Sequence, residues 1–152
     1  MEHDFFGTVE TETDVWTTRH TLPDGRKITV ELWNAKWSDL DAAADFLRNP
    51  EAWERKCSEA FYKNFQSDIH PYLHRVVKVG DGDLNAFAFE TPDSLRAESF
   101  WELIQLKSMD VFREDEGLEL VLDYKFSRIE TEYVVCFRFS QDGALQDCAL
   151  ES

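Results

Sequence analysis

Apolar residues recur at every second position near both ends of the chain and at about every 3.6 positions between them. That order asks for strands, then helices, then strands, which points to helices laid on a sheet assembled from both ends. The first strands read as a β-hairpin over residues 15–33. Its turn, Leu22-Pro23-Asp24-Gly25, has Pro at the second position of a type I turn and Gly where φ > 0 is wanted. A three-residue loop with a Gly bulge pairs Leu22 with Arg26. His20 then falls opposite Ile28, Thr18 opposite Val30 and Trp16 opposite Leu32, so the apolar residues gather on one face. A two-residue loop sets Arg19 against Val30 instead, and the bulged form is expected. Phe5 to Glu10 reads as a short strand beside the hairpin.

Ser38 is the expected cap of a helix whose Leu40, Ala43, Ala44 and Leu47 follow i, i+3, i+4, i+7. Asn49-Pro50 ends it and opens a second, with Asn as N-cap and Pro in the first helical position. Trp53, Cys57, Ala60, Phe61 and Asn64 form the stripe of that helix, and His70-Pro71 should stop it. Arg75 to Val79 and Ala86 to Glu90 are short strand candidates around a Gly80-Asp81-Gly82-Asp83 turn. Thr91-Pro92 opens a third helix with Ala97, Phe100, Leu103 and Ile104 facing inward. Strands are then expected at about 109–114, 117–126 and 131–139. A tight Ser140-Gln141-Asp142-Gly143 turn leads to a last one at 144–150. The expectation is a single α+β domain over residues 1–152, a mainly antiparallel sheet with about three helices packed on one face. A chain of 152 residues is long enough to bury such a core without metals or disulfides.

Charge restricts the partners. With 31 acidic and 16 basic residues the formal net charge is −15, so free nucleic acid and anionic membranes meet a repulsive field and a basic protein an attractive one. No apolar run reaches the roughly 18–20 residues needed to cross a bilayer. The start, Met1-Glu2-His3-Asp4-Phe5-Phe6, lacks the basic and apolar regions of a secretory signal. Cys57, Cys136 and Cys148 are an odd count without C-x-x-C spacing, as expected of reduced thiols in a cytoplasmic protein.

None of the chemistry-bearing motifs is complete. Asp81-x-Asp83-x-Asn85 opens like a calcium loop, but Ala86 stands where the turn needs Gly and Pro92 where it needs a bidentate Glu. His70 and His74 have the helical spacing of a zinc pair, with Pro71 between them to break the helix. Cys57 lies on a core stripe, where a packed thiol is the default over a nucleophile. Cys136 and Cys148 fall directly opposite each other if the loop is 141–143, and are expected as two packed thiols rather than a bridge. Asp41 and Asp45 share a helix face and read as solvated. His3 and His20 are assigned no role. There is no G-x-S-x-G, P-loop or G-x-G-x-x-G. No catalytic residue, metal site or cofactor is expected.

The last part of the chain carries a set of familiar motifs. Ser99-Phe100-Trp101-Glu102-Leu103-Ile104-Gln105-Leu106 precedes Met109-Asp110-Val111-Phe112. Leu122-Asp123-Tyr124, Thr131-Glu132-Tyr133-Val134-Val135, Phe137-x-Phe139, Asp142-Gly143 and the closing Glu151-Ser152 follow. Together with Phe6-Gly7 and the Asp24-Gly25 turn, the set resembles a bacterial family known as a domain of unknown function, the one numbered two thousand and four. Residues 34–90 have no counterpart in that resemblance, and it implies no catalytic residues. At the level of class the chain also resembles small, acidic, α+β immunity proteins encoded beside interbacterial toxins. The functional expectation is therefore a non-catalytic binding protein, an immunity protein that neutralises a cognate toxin by tight 1:1 binding. The acidic turn Glu114-Asp115-Glu116 is the candidate steering patch for a basic toxin domain. The alternative is a small enzyme or ligand-binding domain with a pocket between helices and sheet.

Overall fold

Gly25, at φ 93°, lets the first turn close: its N–H donates to the Leu22 carbonyl at 2.9 Å, and the Leu22 N–H donates to the Arg26 carbonyl at 2.7 Å. The computed structural model describes residues 2–10, 12–65, 101–102, 104–126 and 134–151. Within them the hairpin is formed by β3 (Val15–Thr21) and β4 (Lys27–Trp33), in the expected register of His20 with Ile28, Thr18 with Val30 and Trp16 with Leu32. Before it, β1 (Glu2–His3) and β2 (Gly7–Thr8) pair with each other. The segment expected as a strand beside the hairpin is thus half of a separate two-stranded ribbon. Gly7 at φ 73° is part of the reversal that returns the chain on itself.

After a 3-10 turn at Trp37–Asp39 come α1 (Leu40–Arg48) and α2 (Pro50–Phe65). Ser38 lies inside the 3-10 turn and Asp39 takes the N-cap position of α1, where its Oδ2 accepts the Lys36 N–H at 2.8 Å. Asn49-Pro50 divides the helices as expected. Leu40, Ala43, Ala44, Phe46 and Leu47 of α1, and Cys57, Ala60 and Phe61 of α2, are buried.

The chain then adds β5 (Ile104–Glu114), β6 (Gly117–Phe126), β7 (Val134–Ser140) and β8 (Leu145–Glu151) as an antiparallel meander. One sheet results, ordered β3-β4-β5-β6-β7-β8, antiparallel except where β4 and β5 run parallel. A parallel pair needs a long crossover, and that is where the helices fall. Ile28, Val30 and Leu32 of β4, Met109 and Val111 of β5, Leu120 and Leu122 of β6, and Phe137 and Phe139 of β7 face the helices and are buried. Each such side chain contributes roughly 1.5–3 kcal/mol. Trp53 of α2 meets Phe46 and Phe139 edge-on, with ring centroids 5.0 and 5.3 Å away. Trp101 sits 5.0 Å from the Tyr124 ring and 5.5 Å from that of Phe61.

The α+β class and the mainly antiparallel sheet agree with expectation, and two α-helices rather than three lie among the described residues. The third expected helix falls outside them except at its end, where Trp101 is helical. Ile104, expected as its inward face, instead begins β5 and pairs with Phe126. The expected strands around residues 75–90, His70, His74 and the Asp81–Asn85 loop also lie outside the described residues. No described helix is long and apolar enough to cross a membrane.

The two C-terminal thiols differ from expectation. The loop at 141–143 forms as foreseen, with Ser140 N–H to the Ala144 carbonyl at 2.9 Å and Gly143 at φ 91°. The β7–β8 register then shifts between Arg138 and Phe139, moving from Phe139 opposite Leu145 to Arg138 opposite Asp147. That one-residue slip puts Cys136 opposite Ala149 and Cys148 opposite Phe137. Because facing alternates along a strand, Cys148 turns toward the helices and Cys136 toward the other side of the sheet.

Candidate functional site

The sheet face turned away from α1 and α2 is unlike its partner. Strand alternation places Glu31 and Trp33 of β4, Ser108, Asp110, Phe112 and Glu114 of β5, Glu119 and Asp123 of β6, and Cys136 and Arg138 of β7 on it. Two features of this face carry chemistry.

At its centre, two carboxyls meet through one hydroxyl. Ser108 Oγ lies 3.1 Å from Asp110 Oδ2 and 3.4 Å from Asp123 Oδ2. Asp110 is only 5% exposed. Its Oδ1 accepts the Glu31 backbone N–H at 3.0 Å, so a side chain of β5 serves as a rung between the two parallel strands. Burial and the facing Asp123 carboxyl push Asp110 up to about 7, against the downward pull of the Glu31 N–H and the Ser108 hydroxyl. Burial also raises Asp123, which the neighbouring Cys136 thiol partly offsets. Asp123 Oδ1 is buried and has no hydrogen-bond partner among the described residues. Burial, with the neighbouring Asp123 carboxyl, raises the Cys136 thiol well above its usual range, which favours the protonated thiol.

At the end of the face, Glu114-Asp115-Glu116 forms the tight turn between β5 and β6, with Glu114 opposite Gly117. All three are exposed, and their side chains make no ion pair or hydrogen bond with a described residue. The β7–β8 turn lies beside them because Glu119 pairs with Ser140. Between the two turns runs a groove of about 450 Å³ whose carboxylates are Glu114, Glu116, Glu119 and Asp142. Glu119 is held by Arg138 Nη1 at 2.8 Å, and the Ser140 hydroxyl, the Ala144 N–H and lastly Lys56 lower the exposed Asp142. Glu119 and Asp142 are far from the acidic turn in sequence, and only the strand register brings them beside it. The signal for Glu119 was the alternation Glu119-x-Val121-x-Asp123, which puts acids on one face of β6; Asp142 had only its place in the Ser140–Gly143 turn.

On the helix side, Cys57 and Tyr124 are both raised well above their usual ranges by burial, as packed groups are. Among the described residues no cluster of three or more His, Cys, Asp or Glu side chains has metal-holding geometry. What fold and site define is an α+β protein with helices on one sheet face and a carboxylate-rich edge on the other. No family model, curated protein or solved structure matches the chain. The resemblance to the domain-of-unknown-function family therefore stands on its quoted motifs alone.

Proposed function

We propose that the chain is a non-catalytic binding protein that captures a basic protein, acting as an immunity protein against a cognate bacterial toxin. The observation that carries this reading is the exposed, uncompensated Glu114-Asp115-Glu116 turn above a groove lined by two further carboxylates. In a chain of net charge −15, Arg138 and Lys56 serve Glu119 and Asp142 at that edge, and among the described residues no ion pair ties down the side chains of the turn. Many antibacterial toxins act on phosphate-bearing substrates and need a basic cleft, and long-range attraction accelerates encounter with an acidic inhibitor. Residence then depends on short-range packing. Co-expression with the toxin-sized reading frame adjacent to the gene is the test. Restored growth and a 1:1 complex on gel filtration support the reading; continued toxicity with no complex rejects it.

The Asp110–Ser108–Asp123 cluster favours a second reading, a small enzyme or ligand-binding domain, since buried acids with raised pKa values mark functional sites as well as structural ones. None of the described cavities is lined by Asp110 or Asp123. Its test is a small-molecule thermal-shift screen with Asp110→Asn as control: stabilisation lost in the variant favours the pocket.

A further inference from the structure

Trp33 and Phe112 are paired across the parallel β4–β5 step, and their rings stack at 5.4 Å with planes 13° apart. Both side chains lie on the face away from the helices, and both are only partly buried. Neither aromatic belongs to the helix-facing core; they share their face with the buried Val121 and Cys136. The indole is fixed in place: Trp33 Nε1 donates to Glu31 Oε2 at 2.9 Å. The pair is also ringed by carboxylates. Glu31 precedes Trp33 by one pleat, Glu119 lies directly opposite Phe112, and Glu114 follows Phe112 by one pleat toward the acidic turn. On the same face Arg138 is committed to Glu119 and Glu151 at 2.8 and 3.4 Å, and Arg19 stands on β3 opposite Thr29, displaced along the strand from Trp33.

We infer that the Trp33–Phe112 stack is the anchor point for an arginine of the basic partner, with Glu31 and Glu114 as its flanking acceptors. The inference rests on the proposed capture of a basic protein and adds where and through which side chain it is held. Arginine fits better than lysine because a planar guanidinium stacks on an aromatic ring while its fork of N–H donors meets carboxylates. Lysine offers the same charge without the plane. The acidic turn and the stack are contiguous, so charge that draws a partner toward the turn delivers it to the aromatic pair. Aromatic residues are frequent among the few that carry most of an interface's binding energy, and such residues act mainly on the dissociation rate.

Octa-arginine and octa-lysine are suitable probes, titrated separately into the full chain at low salt with the Trp33 indole N–H followed by NMR. Octa-arginine should bind about five-fold more tightly than octa-lysine and shift the Trp33 indole resonance. Trp33→Leu should erase that preference, whereas Trp33→Phe, which keeps a ring, should retain most of it. Phe112→Leu, on the neighbouring strand, gives the same readout if Trp33→Leu does not fold. Equal affinity for the two peptides, or a preference that survives Trp33→Leu or Phe112→Leu, overturns the anchor. If neutralising Glu114, Asp115 and Glu116 weakens both peptides while the aromatic variants change nothing, the anchor fails and capture through the acidic edge stands. Binding of neither peptide overturns both.

Discussion

The Arg26 guanidinium holds the Glu54 carboxylate through two parallel hydrogen bonds of 2.9 and 2.6 Å. The same carboxylate accepts the Tyr124 hydroxyl at 3.2 Å, and Arg26 Nε reaches Asp24 Oδ2 at 2.8 Å. One side chain of α2 thereby ties the first hairpin turn to the C-terminal part of β6. Arg26 is partly open to solvent, which screens its share, but Tyr124 is 2% exposed and its hydroxyl needs a partner.

Glu54→Ala should therefore lower the unfolding free energy by about 1–3 kcal/mol, more than Arg26→Ala. Glu54→Gln, which still accepts from Tyr124, should recover part of the loss. Urea unfolding of the three variants checks the order.

The pH dependence turns on Asp110. Its folded-state value near 7 stands above the ordinary carboxyl value of 3.8, so the folded chain holds this proton more tightly than the unfolded one. The stability it contributes is fully present below about pH 4 and is lost as pH rises through 7. Asp110→Asn, which removes the ionisation and can still accept the Glu31 N–H, should be more stable than the parent at pH 8 by on the order of 1–3 kcal/mol. The difference should shrink as pH falls toward 4. Thermal melts of both proteins between pH 4 and 8 measure it, and a gap that is constant with pH would show that Asp110 is not the titrating group.

Cys136 and Cys148 project from opposite faces of the sheet, so no rotamer change bridges them. Cys148 is pushed up to about 12 by burial, with Asp147 adding to the effect. Both thiols should react with a maleimide slowly in the native protein and fully in denaturant. Mass spectrometry of unreduced protein should show no Cys136–Cys148 link.

What was legible in the sequence was local. The Pro23-Asp24-Gly25 turn and the alternation on either side of it together specify the β3–β4 register, since a one-residue slip scatters Trp16, Ile28 and Leu32 and the turn excludes a longer one. Asn49-Pro50 marks the helix boundary by backbone chemistry alone. The β7–β8 slip was not legible: the turn at 141–143 is as expected, and an extra residue near Gln146 shifts the ladder without any Gly or Pro to announce it. Ile104 is apolar in either a helix or a strand, and it is pairing with Phe126 that decides. The acidic turn could be found because its three acids are consecutive. Asp110 and Asp123 could not be singled out among 31 acids, because their distinction is burial and mutual approach across strands. The Trp33–Phe112 stack depends on the parallel β4–β5 pairing, a contact across the whole helical crossover.

The most direct measurement is the association rate with the cognate toxin domain as a function of salt, for the parent chain and for Glu114→Gln, Asp115→Asn, Glu116→Gln combined. Steering by exposed charge is screened beyond about 8–10 Å at physiological ionic strength. The parent's association rate should fall steeply with salt, and the triple variant should associate several-fold more slowly at low salt with an almost unchanged dissociation rate. Identical association rates for the two proteins at low salt would contradict capture through the acidic edge.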